Sequence, residues 1–224
     1  RVIWASCMVA CGDADGAVTG NTRRFGASLD KIKQVVNVRK GEIMFGLNLI
    51  VHKGKTIFVG DTSVHEYPNA EQLSEIAISS ARVVRLFGFD PKVAFVSHST
   101  FGQPLTSRTK HIKDAVEILK EKNVNFEFDG DMQPDVALNE EYKPLYPFSN
   151  IVGKANILIM PGQHSAAITY KMMKTLGDSK VIGPLLIGLG LPIEIAPLRS
   201  STSEIINLAS IAAYSADVID YNKN

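Results

Sequence analysis

The chain has 224 residues, and its 24 Lys and Arg residues nearly balance its 23 Asp and Glu residues, which gives a formal net charge of +1. This balance argues against a dedicated nucleic-acid-binding protein, and ordinary contents of Gly (17) and Pro (10) exclude disordered and collagen-like chains. Apolar residues make up 45% of the chain, which is enough for a sizeable core, while two Cys residues cannot form a disulfide framework and favour a reducing, cytoplasmic compartment.

The start of the sequence predicts a piece of a longer polypeptide. It begins with Arg1 rather than Met and runs directly into apolar residues, without the charged and apolar regions of a signal peptide. The longest apolar stretch, Gly183–Leu198, is broken by Gly and Pro residues and is too short to span a bilayer. We therefore expect a soluble chain that has no membrane partner.

Apolar runs alternate with helical patterns along the chain, which is typical of βαβ units and a largely parallel sheet. The predicted strands are Val2–Ala10, Ile43–Val51, Thr56–Gly60, Val93–Ser97, Phe126–Phe128, Ile157–Met160, Val181–Ile187 and Ile193–Ala196. Between the second and third of these runs, His52–Lys55 predicts a hairpin turn with Gly54 at a positive φ.

Four helices are predicted from apolar residues that recur with a 3.6-residue period. They cover about 71–87, 107–122, the segment from Gln163 to Gly177, and 202–214. Asn69 is the expected N-cap of the first helix, and Gly88 is its expected stop. In the third helix, the stripe Ile168, Met172 and Leu176 is expected to face the core.

Polar residues follow several predicted strands, where open α/β sheets bind their ligands. The segment Ser97–Gly102 offers hydroxyl groups that could hold a phosphate or a carbonyl oxygen, or that could satisfy their own loop. The segment Met160–Ser165 begins a helix, and its His164 is either a titrating group or a polar neighbour of the helix start. Arg199–Glu204 could bind an anion, although Ser201 and Glu204 also have the spacing of a capping box.

No metal site is predicted. Asp129, Asp131 and Asp135 could suit a hard cation, but their spacing favours turn and capping roles. Cys7 and Cys11 are expected to be small buried apolar residues rather than zinc ligands. The glycine-rich fingerprints of nucleotide-binding loops are also absent from the sequence.

Several motifs, in this order, resemble the phosphotransacetylase (phosphate acetyl/butyryl transferase) family. They are GDADGAVTG at Gly12–Gly20, SHSTFG at Ser97–Gly102, DGDMQPDVAL at Asp129–Leu138, GKANILIMP at Gly153–Pro161, IGPLLIGLGLPIEI at Ile182–Ile195 and SEIINLASIAAYSA at Ser203–Ala216. Together they cover nearly the whole chain. The stretches Pro68–Gly88 and Asn139–Asn150 resemble, in particular, the branch of the family that is fused to the C-terminus of bacterial NADP-dependent malic enzymes.

The resemblance implies a fold, an assembly and a ligand. The fold is a two-lobed, three-layer α/β/α structure of the isocitrate/isopropylmalate dehydrogenase type with a mostly parallel sheet. Residues 1–40 and 191–224 would form the first lobe, whose N-terminal part is missing, and residues 41–190 the inserted second lobe. The family also implies a homodimer or a higher homo-oligomer, an acyl-CoA ligand held between the lobes, and no nucleic acid partner.

The sequence departs from the family at catalytic positions. Active members resemble S-R-G-x-S-x-D-D-I before the last helix, and an ungapped match places Pro197, Leu198 and Glu204 at the catalytic Ser, Arg and Asp. Arg199 lies one position late, and Asp30 occupies the place of another family Arg. A lost general base alone costs about 10²–10⁴-fold in rate.

Three functions follow as hypotheses. In the first, the chain is a regulatory domain of a malic enzyme that binds acetyl-CoA as an allosteric effector, while NADP and a divalent metal bind only in the missing part of the parent chain. The ligand contacts would be Ser97, Ser99, Thr100, Gly162, Ser165, Arg199 and Ser200. In the second, the chain is an active phosphate acetyltransferase that uses Arg199 and Glu204. In the third, it is a purely structural dimerisation module.

Overall fold

A computed structural model describes residues 1–104 and 106–218. The chain divides into two compact units, which are Arg1–Asn48 with Ile182–Asn224 (unit 1) and Leu49–Val181 (unit 2). Each unit is built around apolar residues that are almost fully buried.

Helices and strands alternate along most of the chain. The helices are α1 (Val2–Ala10), α2 (Phe25–Ile32), α3 (Ala70–Leu86), α4 (Ser107–Glu121), α5 (Pro134–Leu138), a 3₁₀ helix (Glu140–Leu145), α6 (Gln163–Leu176) and α7 (Thr202–Val218). The strands are β1 (Ala17–Gly20), β2 (Phe45–His52), β3 (Lys55–Gly60), β4 (Lys92–Val96), β5 (Glu127–Met132), β6 (Ile157–Ile159), β7 (Lys180–Ile187) and β8 (Ile193–Ala196).

In unit 1, β1 pairs in parallel with β8, and Val18 lies opposite Glu194. Helices α1, α2 and α7 contact these two strands. Ile32 and Ile195 are completely buried in this unit, and Leu208 of α7 is 1% exposed.

The larger sheet has the strand order β5-β4-β6-β3-β2-β7. Strand β4 pairs in parallel with β5 and β6, and β6 pairs in parallel with β3. Strands β2 and β7 each contain a point where the chain passes from one unit to the other. Lys53 and Gly54 join β2 to β3 with φ values of 48° and 74°. The predicted hairpin turn with Gly54 at a positive φ is therefore confirmed.

Helix α3 forms for the reasons that its sequence indicates. Asn69 and Gln72 make a reciprocal capping box, in which each side chain accepts a hydrogen bond from the other residue's backbone N–H. Leu73, Ile76 and Val84 are at most 1% exposed, so the predicted apolar stripe is confirmed.

The prediction of a strand at the start of the chain is wrong, because residues 2–10 form helix α1. An uninterrupted apolar run fits a buried strand and a helix equally well, and only packing decides between them. Helix α1 buries Val2, Ser6 and Val9, and Trp4 on its outer face is 74% exposed.

Cys7 and Cys11 are also exposed, contrary to the expectation of burial. Cys7 lies within α1 and Cys11 directly follows its last residue, and Cys11 N–H donates to the Cys7 carbonyl over 2.8 Å. Residues that are four apart in a helix share one face, so both thiols lie on the side of α1 that unit 1 leaves uncovered.

The expectation that Ile168, Met172 and Leu176 face the core is wrong. These side chains of α6 are 57%, 55% and 79% exposed. The helix packs instead through Ala166, which is buried, and through Tyr170 and Met173, which are partly buried against the core of unit 2. The sequence carries two apolar stripes on this helix, and its period does not indicate which one packs.

Among the described residues, no helix is both long enough and apolar enough to cross a bilayer.

Candidate functional site

Unit 2 contains a cavity of about 830 Å³ where strands β4 and β6 end. Parallel strands commonly bind ligands at this carboxyl edge. Apolar side chains form most of the wall, namely Val96, Ile112, Pro134, Met160 and Pro161. The polar lining residues are Tyr67, Ser97, His98, Thr109, His111 and Ser165. The cavity therefore combines an apolar body with a few polar groups, which is typical of small-molecule sites.

The loop after β4 is shaped by one buried carboxylate. Asp131 on β5 is 2% exposed, and its two oxygens accept hydrogen bonds from the Ser99 hydroxyl and from Gly102 N–H, the latter over 2.9 Å. The Ser97 and Ser99 hydroxyl oxygens are 3.0 Å apart, and the Thr100 hydroxyl accepts from Gln133 N–H over 3.3 Å. Polar contacts within unit 2 thus fix the whole hydroxyl cluster.

The turn role predicted for Asp129, at the Asp129–Gly130 pair, is wrong, because residues 127–132 form strand β5. A Cβ atom on Gly130 would lie 2.7 Å from Phe95 of the neighbouring strand, so glycine permits the close approach of β4 and β5. The Asp129 carboxylate accepts from Gly130 N–H and Asn150 N–H over 2.9 and 2.7 Å.

The junction between β6 and α6 contains two of the predicted ligand residues. Ser165 lines the cavity, and its hydroxyl donates to the Gly162 carbonyl over 2.9 Å. A Cβ atom on Gly162 would lie 2.5 Å from the Glu66 carbonyl oxygen, so Gly162 is needed for the contact between two loops. His164 is exposed, and its Nε2 lies 3.3 Å from a Glu66 carboxylate oxygen.

The loop that follows β3 supplies residues that sequence reasoning missed. Asp61 is 1% exposed, and its carboxylate accepts from the backbone N–H groups of residues 63, 64 and 65 and lies 2.7 Å from His65 Nδ1. The loop then places Tyr67 at the rim of the cavity, where the side chain is 77% exposed. An Asp two residues before a backbone donor is a recognised turn signal, but the pairing with His65 has no sequence signature.

Arg199, Ser200 and Glu204 lie in unit 1, whereas the other predicted site residues lie in unit 2. Arg199 is exposed with a φ of 62°, and the Ser200 hydroxyl donates to the Pro197 carbonyl over 2.9 Å. The Glu204 carboxylate accepts from the Ser201 N–H and hydroxyl groups over 2.7 and 2.9 Å, and the Ser201 hydroxyl oxygen accepts in turn from Glu204 N–H. The capping box at the start of α7 is therefore confirmed.

The structure thus brings two of the predicted ligand residues, Ser97 and Ser165, into one cavity. Ser99 and Thr100 are buried beside it in the loop that Asp131 fixes. Sequence reasoning missed the apolar wall and Tyr67 because cavity walls come from segments that are far apart in the chain.

Comparison with known proteins adds a family and a fold. A family model described as phosphate acetyl/butaryl transferase matches residues 1–213. An NADP-dependent malic enzyme of Rhizobium meliloti (strain 1021) is 43% identical over 213 residues, which cover 95% of this chain and 28% of that relative. The chain therefore spans less than a third of the length of this relative.

Two of the solved structures that resemble the chain illustrate its fold. The crystal structure of a phosphotransacetylase from Streptococcus pyogenes matches with a TM-score of 0.89 and 30% identity, covering 96% of this chain and 67% of that one. A 4-hydroxythreonine-4-phosphate dehydrogenase from Klebsiella pneumoniae matches with a TM-score of 0.56 and 11% identity, covering 96% and 69%, and shows the fold alone. The predicted dehydrogenase-like α/β fold with a mostly parallel sheet is thereby confirmed.

Proposed function

We propose a regulatory role for this chain, which belongs to the phosphate acetyl/butaryl transferase family. In this proposal it is the C-terminal phosphotransacetylase-like domain of a cytoplasmic bacterial NADP-dependent malic enzyme. The parent polypeptide would convert malate to pyruvate and CO₂ with NADP and a divalent metal, using residues outside this chain. The domain itself would bind acetyl-CoA as an effector and self-associate as a homodimer or a higher homo-oligomer.

The cavity of unit 2 is the observation that carries the ligand-binding part of the proposal. It lies at the carboxyl edge of parallel strands, and its volume of about 830 Å³ falls within the range of ~300–1,000 Å³ that is usual for small-molecule sites. Ser97 and Ser165 are among its lining residues. The similarity to a malic enzyme at 43% identity supports the identity of the parent.

The state of Glu204 favours binding over catalysis. A catalytic base must be available to take a proton from the attacking group. Both the backbone N–H and the hydroxyl of Ser201 donate to the Glu204 carboxylate, which is committed to the start of α7. The ungapped match to the family motif places Pro197 and Leu198 at the two other catalytic positions, which further favours binding over catalysis.

The proposal is tested on the complete polypeptide that contains this chain. Malate oxidation is measured with and without acetyl-CoA, because an allosteric effector must change the affinity or the rate at a separate site. Ser165→Phe, which would fill part of the cavity, is expected to abolish the response and leave the rate without acetyl-CoA unchanged. Ser210→Phe, on the exposed side of α7, is the control. A response that survives in Ser165→Phe would place the effector elsewhere.

An active phosphate acetyltransferase is the second candidate, and the similarity to the phosphotransacetylase from Streptococcus pyogenes favours it. It requires CoA-dependent consumption of acetyl phosphate that Glu204→Gln abolishes. Glu121→Gln, at an exposed position, is the matched control. Turnover with this dependence would overturn a purely regulatory role.

A structural dimerisation module is the third candidate, and the exposed apolar stripe of α6 favours it. Isothermal titration calorimetry that detects no binding of acetyl-CoA would support this candidate over the first. Sedimentation equilibrium of Met172→Glu tests the stripe directly, because a charge at its centre is expected to weaken self-association. Lys171→Glu, one position away on the same helix, is the control for charge alone.

A further inference from the structure

The segment 139–152 runs along the outer edge of β5 as a strap that hydrogen bonds hold in place. Strand β5 lies at one end of the larger sheet, and no strand of the described part of the chain pairs with its outer side. The Asn150 N–H donates to the Asp129 carboxylate over 2.7 Å. The Val152 N–H donates to the Glu127 carboxylate, also over 2.7 Å. The strap therefore covers an edge that would otherwise be open to pairing with another chain.

The strap carries large apolar side chains that are exposed to solvent. Leu145, Phe148 and Val152 are 67%, 64% and 70% exposed, and we call these three side chains the strap surface. The backbone beneath them is fixed, because the Lys143 ammonium donates to the Ile151 carbonyl over 3.0 Å and Ile151 itself is 2% exposed. Exposed apolar and aromatic side chains on a fixed segment are typical of interaction surfaces.

Phe148 also connects the strap surface to the loop that follows β4. Its ring centroid lies 4.8 Å from that of Phe101 in an edge-to-face contact, and the ring of Tyr146 lies 5.5 Å from Phe101. Phe101 belongs to the same loop as Ser97, which lines the cavity of unit 2. The Phe101 N–H donates to the Asp131 backbone carbonyl over 2.6 Å, which fixes this end of the loop. Packed groups therefore connect the loop of the cavity with the strap surface, and such a connection can couple two sites.

We propose that the strap surface docks against the part of the parent polypeptide that lies outside this chain, and that it carries the effector signal from the cavity to that part. The inference rests on the proposed function and names the surface through which the two parts communicate. The match to the malic enzyme of Rhizobium meliloti covers only 28% of that relative, so nearly three quarters of such a parent is available as the partner. The partner is expected to offer an apolar recess, because the three exposed side chains are apolar.

A second copy of this chain has a different surface available. Helix α6, which carries the exposed apolar stripe, contacts β3, whereas the strap lies beside β5. Strands β4 and β6 lie between β5 and β3, so three strand spacings, about 14 Å, separate the two positions along the sheet. A two-fold interface uses the same patch on both copies, and the stripe of α6 suffices for it. The strap surface is thus left for a different partner.

The first test maps what the strap surface contacts in the complete polypeptide that contains this chain. Phe148 is replaced by the photo-cross-linking amino acid p-benzoylphenylalanine, and the peptides that become joined to it are identified by mass spectrometry. Cross-links to residues outside 1–224 are expected. The same replacement of Lys55, which is exposed at the start of β3, is the control and is expected not to cross-link to that part. Cross-links that join only two copies of the strap, or none to the rest of the polypeptide, would overturn the inference.

The second test separates docking from effector binding by a charge on the strap surface. Leu145→Glu and Phe148→Glu are expected to bind acetyl-CoA in calorimetry, yet to lower its effect on malate oxidation about fivefold or more, as the loss of a typical coupling free energy implies. Leu145→Glu guards against a disturbed cavity, because Phe148 packs on Phe101. Lys55→Glu is the control for added negative charge and is expected to keep the full effect.

The two proposals fail in different ways. A full response to acetyl-CoA in both strap variants would overturn the inference and leave the proposed function standing. A wild-type polypeptide that shows no response to acetyl-CoA would overturn the proposed function, and with it the signalling role of the strap surface. The cross-links from position 148 decide the docking in either case, because they do not depend on the effector.

Discussion

Replacing Glu194 with Gln is expected to remove a pH dependence from the stability of unit 1. Glu194 lies in β8 and is 5% exposed, and its carboxylate accepts one hydrogen bond of 2.9 Å from Leu186 N–H. Burial raises the pKa of Glu194 from its ordinary value of 4.5 to about 8, and the bond from Leu186, which favours the ionised form, opposes only part of this rise. The folded chain therefore keeps a proton that the unfolded chain releases.

The sign and size of the effect follow from proton linkage. Between pH 4.5 and 8 the folded state binds one proton more than the unfolded state, so the free energy of unfolding falls by about 1.4 kcal/mol for each pH unit. The contribution is complete below pH 4.5 and is lost as the pH rises through 8. The whole window is worth on the order of 5 kcal/mol.

The assay is urea denaturation of the wild type and of Glu194→Gln at unit intervals of pH across this window. Trp4 is the single tryptophan of the chain and lies in unit 1, so its fluorescence reports on the unit that contains Glu194. Gln cannot ionise, and its amide oxygen can still accept from Leu186 N–H. The variant is thus expected to gain stability over the wild type by about 1.4 kcal/mol per pH unit as the pH rises.

The control is Glu121→Gln, which changes an exposed glutamate at the end of α4. It is expected to leave the pH profile of the wild type unaltered. Parallel profiles for Glu194→Gln and the wild type would refute the reasoning, because they would mean that Glu194 takes up no extra proton on folding.

Three further variants test the framework of the cavity by chemical denaturation. Gly162→Ala is expected to lower the free energy of unfolding by about 1–3 kcal/mol, because the added Cβ would lie 2.5 Å from the Glu66 carbonyl oxygen. Gly26→Ala is the control, because nothing lies within 4 Å of its added Cβ, and it should cause no loss of stability. Asp131→Asn replaces one buried acceptor oxygen by a donor and should cost about 1–3 kcal/mol, and an unchanged urea midpoint would show that the carboxylate does not hold the loop after β4. Asn69→Ala breaks the capping box of α3 and should lower the free energy of unfolding by about 1 kcal/mol; an unchanged urea midpoint would show that the cap does not stabilise the helix.

The sequence predicted those elements whose signals are local. The predicted bounds of strand β8 agree with the observed ones. The predicted cap at Asn69 and turn at Gly54 are also correct, because turn and cap chemistry acts within a few residues. The capping boxes at Asn69 and Ser201 show the same point for two helices that are far apart in the chain. The family resemblance rested on motifs in order and was confirmed by the family model.

The errors concern features that packing decides. Nothing in an unbroken apolar run distinguishes a strand from α1, and nothing in the period of α6 indicates that Ala166 packs inward while Met172 faces out. The Asp129–Gly130 pair suggested a turn. In the structure both residues belong to β5, where Gly130 packs closely against Phe95 of the neighbouring strand.

The candidate site was predicted only in part for the same reason. Ser97 and Ser165 were found because strand ends can be located in the sequence. The hydrogen bond that joins Ser99 to Asp131 connects residues that are 32 positions apart, so no local pattern encodes it. The pairing of Asp61 with His65 was missed for lack of any motif that signals it.

The two points where the chain passes between the units lie on β2 and β7, which are neighbours in the sheet. Neighbouring strands are about 4.8 Å apart, so unit 2 begins and ends on adjacent strands. A segment with this property can enter or leave a gene by a single insertion or deletion, since the host needs only a short bridge to close the gap. The same geometry makes unit 2 a suitable module for transplantation into other proteins and for circular permutation.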